Sequence, residues 1–61
     1  MNSTRIKISF YGWCQVSDRE TVLSDLDFQY EGTENGLSVP GRYDVYSNSD
    51  GDYFAVKEGD N

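Results

Sequence analysis

Between residues 5 and 16, apolar and polar positions alternate. Ile6, Ile8, Phe10, Gly12, Cys14 and Val16 share one parity, and Arg5, Lys7, Ser9, Tyr11, Trp13 and Gln15 share the other. A period of two is the signature of a half-buried strand, so one long strand is predicted with the first set turned to the core. Gly12 offers no side chain to pack and marks a bend or bulge within it. Ser17-Asp18-Arg19-Glu20 fits a capping box, in which Ser17 and Glu20 serve the free backbone donors of a short helical turn. Leu26, Phe28 and Tyr30 then alternate with Asp25, Asp27, Gln29 and Glu31, which predicts a second strand from about Thr21 or Ser24 to Glu31. Residues 32–41 carry the turn pairs Asn35-Gly36 and Pro40-Gly41 and read as a loop, with a short extended piece over residues 37–39. Finally, Arg42–Tyr46 and Tyr53–Lys57 flank Ser47-Asn48-Ser49-Asp50-Gly51-Asp52, the pattern of a hairpin with a several-residue loop. The last residues, 59–61, are expected to fray.

These pieces predict a mainly β fold, a small antiparallel four-stranded sheet or partly closed barrel with at most one short helix. Residues 1–61 form a single small acidic domain on this reading. A chain this short buries a small share of its surface and needs support beyond an apolar core. One cysteine and no histidine exclude an internal disulfide and a Cys/His zinc site. Nine aromatic residues supply the alternative, since each ring buries a large area at little cost in entropy. A single sheet covers one face only, which leaves homodimerisation open as a further support.

Charge changes the picture more than composition does. Eleven acids stand against five bases, a net charge of −6, and all the acids lie after residue 16. Residues 1–16 hold only Arg5 and Lys7 as charged side chains. Such a field repels nucleic acid and anionic lipid and attracts basic surfaces. No apolar leader core and no stretch of membrane-spanning length stand in the sequence, so a cytoplasmic protein is expected, in the host cell if the chain is phage-encoded.

Candidate chemistry is sparse. Asn48-Ser49-Asp50-Gly51-Asp52 resembles part of a calcium loop, but with Gly51 at the sixth position Tyr46 and Lys57 fall where carboxylates are needed, so no metal or other cofactor is expected. Cys14 has no histidine to activate it and shares the inward parity. Asp25 and Asp27 would lie about 6.7 Å apart on one strand face, a spacing that suits paired carboxylates, yet no second layer forms a cleft to raise either pKa. No enzymatic activity is expected. Arg5, Lys7, Tyr11 and Trp13 on one strand face form a weak base-stacking platform, which the overall charge opposes, so no direct nucleic-acid partner is expected.

Binding another macromolecule is the function class that remains. Asp25, Asp27 and Glu31 are expected to form an acidic stripe joined by Glu34, Asp44, Asp50 and Asp52, with Tyr11, Trp13, Tyr46 and Tyr53 supplying apolar contact. The expected partner is a protein with a basic nucleic-acid-binding surface, whose channel this chain occupies as a mimic, in the manner of phage or mobile-element inhibitors of nucleases, CRISPR effectors or toxins. A general interaction module binding through an aromatic strand face or a sheet edge is the alternative. One short segment, KISFYGW from Lys7 to Trp13, resembles the opening of the small T-even-phage antitoxins that block host messenger-RNA-cleaving toxins. That resemblance carries no site residue across.

Overall fold

The computed structural model describes residues 4–59. Strands β1 (Arg5–Ile8), β2 (Gly12–Val16), β3 (Gln29–Asn35), β4 (Arg42–Ser47) and β5 (Tyr53–Lys57) form one sheet, with a short helix α1 (Arg19–Leu23) between β2 and β3. Their spatial order is β1-β2-β5-β4-β3. The sheet is open rather than closed into a barrel, has five strands rather than the expected four, and is mixed, because β2 and β5 run parallel while all other pairs are antiparallel. At one corner an isolated bridge between Ile8 and Gly36 ties the two edge strands together.

The long first strand is in fact a hairpin. Ile6 pairs with Cys14 and Lys7 with Trp13, and the chain reverses through residues 9–11. Phe10 adopts φ 80° and Gly12 φ 77°, conformations that a straight strand does not contain. Phe10 therefore turns out to solvent, and Val16 at the strand end is also exposed, against the expected inward parity.

The helix begins one residue later than the capping box implies. Asp18 is the N-cap, with no side-chain hydrogen bond closing the cap, and the Ser17 hydroxyl donates to the Asp18 carbonyl instead. Thr21 nonetheless lowers the Asp18 pKa, first through its side chain. Residues 24–28 are turns, so the second strand starts at Gln29 and runs through Gly32 to Asn35, where a loop was expected. Leu26, which the alternation places in a strand, lies in these turns and is fully exposed. The β4–β5 hairpin matches its sequence signature. In its loop, the Asn48 side-chain oxygen accepts from the backbone N–H groups of Asp50 and Asp52, at 3.2 and 3.1 Å, and Gly51 takes φ 85°.

Strand register divides the sheet into two faces. Ile6, Ile8, Cys14, Tyr43, Val45 and Ala55 form the main core on one face, with Tyr11 packed against it. Full burial of side chains such as Ile8 and Val45 is worth about 1.5–3 kcal/mol each. On the opposite face, α1 covers β4 and β5. Val22 and Val56 are buried there, and Arg19 reaches Asp44 at 2.9 Å. Gly36 is required for space, since a Cβ there would collide with the Val39 carbonyl oxygen and lie 2.7 Å from the Tyr43 ring.

Candidate functional site

The β1–β2 turn throws Tyr11 back across the core face. Its amide donates to the Ile8 carbonyl at 3.2 Å, which fixes the turn, and its hydroxyl donates to the Glu31 carbonyl at 3.3 Å. Glu31 is the extra residue of a bulge between Tyr30 and Gly32, so β3 bends at that point. The ring of Tyr11 meets Tyr53 at 5.3 Å and Phe10 edge-on at 5.3 Å. Glu34 lies opposite Tyr43 in the register and hence on this same face. Burial, then the charges of Glu31 and Glu34, hold the Tyr11 pKa above the ordinary tyrosine value. An aromatic group from two distant segments is thus rimmed by two carboxylates from a third.

The expected acidic stripe does not form. Asp25 and Asp27 lie in the turns before β3, not on a strand beside Glu31. Asp25 accepts from the Asp27 amide at 3.0 Å, and Asp27 accepts from the Ser49 amide and hydroxyl at 3.3 and 3.0 Å, pinning this turn to the β4–β5 loop. The Glu31 carboxylate accepts from the Ser47 hydroxyl at 2.6 Å. Asp44 is committed to the fold: beyond Arg19, it accepts from the Thr33 hydroxyl at 2.7 Å, and its side chain is only 14% exposed. Asp50 and Asp52 are exposed in the β4–β5 loop.

The four aromatic candidates also separate. Tyr11 and Tyr53 share the core face, whereas Tyr46 packs against Tyr30 at 5.6 Å on the helix-bearing face. Trp13, 59% exposed, stands on that second face beyond the reach of the helix, across from Lys7. Tyr11 is therefore not part of a platform with Arg5, Lys7 and Trp13. The chain matches no protein-family model, no curated protein and no solved structure.

Sequence reasoning missed Phe10, which is 87% exposed and edges the Tyr11–Tyr53 group. Its signal was the Gly12 that closes the Ser9-Phe10-Tyr11 turn. Cys14 is buried, and burial raises its thiol pKa, as suits an unreactive packing residue. Among the described residues, no three side chains of the His, Cys, Asp or Glu type converge as metal ligands, and no helix is long and apolar enough to cross a membrane.

Proposed function

We propose that this chain is a non-catalytic inhibitor that docks on the basic surface of a nucleic-acid-binding protein and occupies its channel. The observation that carries this reading is the convergence of Phe10, Tyr11 and Tyr53 with Glu31 and Glu34 on one face. Carboxylates steer the approach to a basic surface, and the rings supply the desolvated contact that charge alone lacks. Asp50 and Asp52 extend the negative field from the neighbouring loop.

The test begins with capture from lysate and identification of the bound protein, followed by kinetics on that pair. On this reading affinity falls as salt rises, excess duplex displaces the inhibitor, and the double reversal Glu31→Lys with Glu34→Lys slows association. Tyr53→Ala speeds dissociation instead. A second reading, the interaction module, draws on exposed Trp13. Binding that ignores salt and both reversals but collapses on Trp13→Ala establishes that module and removes the inhibitor.

A further inference from the structure

The β1–β2 corner of the sheet carries two cations, Arg5 and Lys7, and borders the acidic β4–β5 loop. Register places Arg5 across from Gln15 and Lys7 across from Trp13, so these four side chains share the outer face of β1 and β2. Residues 5–16 contain no acid. Beside them, at the start of β5, a notch of about 130 Å³ opens between Arg5, Trp13, Gln15, Gly51, Asp52 and Tyr53. A cavity of about 150 Å³ holds one benzene molecule, so this notch has the size of a single six-membered ring.

From this geometry we infer that the notch receives one pyrimidine base of a single-stranded nucleic acid. The base stacks on Trp13, and its 5′-phosphate lies toward Arg5 and Lys7. Trp13 has Lys7 across from it and Arg5 one face position further along β1, and an exposed indole flanked by cations suits an unpaired base, since every base has a π-face and the backbone follows the positive charge. The other wall sets the orientation: Asp52 repels phosphate but accepts from a base N–H, and Gln15 both donates and accepts. An arginine side chain also fits by size, and the lining itself holds one cation, Arg5, against one carboxylate, Asp52; Lys7, beside Trp13 and outside the lining, is what favours a phosphate over a guanidinium. The inference does not rest on the inhibitor reading, although Asp52 and Tyr53 border both surfaces.

Trp13 is the sole tryptophan, so its fluorescence reports the notch directly in the isolated protein, without the inhibitor's target. Thymidine monophosphate at low salt is expected to quench it with millimolar affinity, and a short oligothymidylate at least about tenfold more tightly, with both weakening as salt rises. Replacing both Arg5 and Lys7 with glutamine, substitutions at exposed positions that leave the far-ultraviolet spectrum unchanged, abolishes the quench. Trp13→Ala lowers oligomer binding about tenfold or more, followed by the shifts of backbone amides near Gln15 and Asp52. Equal quenching by inorganic phosphate, stronger quenching by arginine amide at matched ionic strength, or equal affinity for monomer and oligomer would each overturn the assignment.

Discussion

Tyr11 shows how one side chain serves both packing and recognition. Its ring closes the core face, its hydroxyl reaches the bulge at Glu31, and burial together with two carboxylates disfavours its ionised form. An acid whose pKa is raised on folding holds its proton more tightly in the native state, so the stability it contributes is present below the unfolded value and lost as pH rises through the folded one. Alkaline titration at 295 nm is expected to show a late step, Tyr11 ionising above the ordinary tyrosine value. Tyr11→Phe removes that late step and flattens the loss of stability over the same range. A titration unchanged by the substitution places the late group elsewhere.

At the scale of elements, the sequence was clear wherever periodicity and turn chemistry agreed. Strands β4 and β5 match their alternating segments, and Asn48 and Gly51 do in the loop what their residue types suggest. The β1–β2 hairpin was hidden for a definite reason. Paired residues such as Ile6 and Cys14, or Ile8 and Gly12, have the same parity, so reversing through Ser9-Phe10-Tyr11 leaves the alternation intact. Period two reports which face a residue takes and says nothing of chain direction. Residues 24–28 alternate by coincidence within turns, while β3 is masked by its own bulge and by polar side chains at an edge. The candidate site was legible as residue types and not as a group: Tyr11, Tyr53, Glu31 and Glu34 were chosen, but their convergence depends on that unseen reversal. Asp44 was chosen for its charge and serves as the anchor of α1 on the sheet. Asp44→Ala leaves Arg19 and Thr33 without their partner and is expected to cost about 1–3 kcal/mol in urea unfolding, whereas Glu34→Ala stays within about 0.5 kcal/mol. Equal costs for the two would remove the distinction between structural and free acids.

The whole molecule is polarised in charge and partly blunted at its edges. Ser9 donates to the Asn35 carbonyl and Leu37 to the Lys7 carbonyl, so the outer edges of β1 and β3 are engaged near the Ile8–Gly36 corner. Edge-to-edge pairing is discouraged there. A two-fold dimer through the Trp13 face would set Arg5 and Lys7 against their own copies. Sedimentation at micromolar concentration is therefore expected to show monomer at low salt, with dimer appearing only as salt screens the repulsion. A dimer at low salt would point to a contact that the charged faces do not control.

The parallel pairing of β2 with β5 has a consequence in time. The last of the described strands lies at the middle of the sheet, between β2 and β4. Without it, the first hairpin and the β3–β4 pair are joined only at the Ile8–Gly36 corner, and each alone is too small to be stable in water. Contacts within the core face, Ile6 and Cys14 with Val45 and Ala55, join parts of the chain that are made far apart. Folding thus waits on the final strand and then proceeds as one event, slowed by the closure of a long loop. Until β5 docks, the first hairpin exposes Ile6 and Ile8, and the carboxylates that follow residue 16 keep such unfolded copies apart by their repulsion.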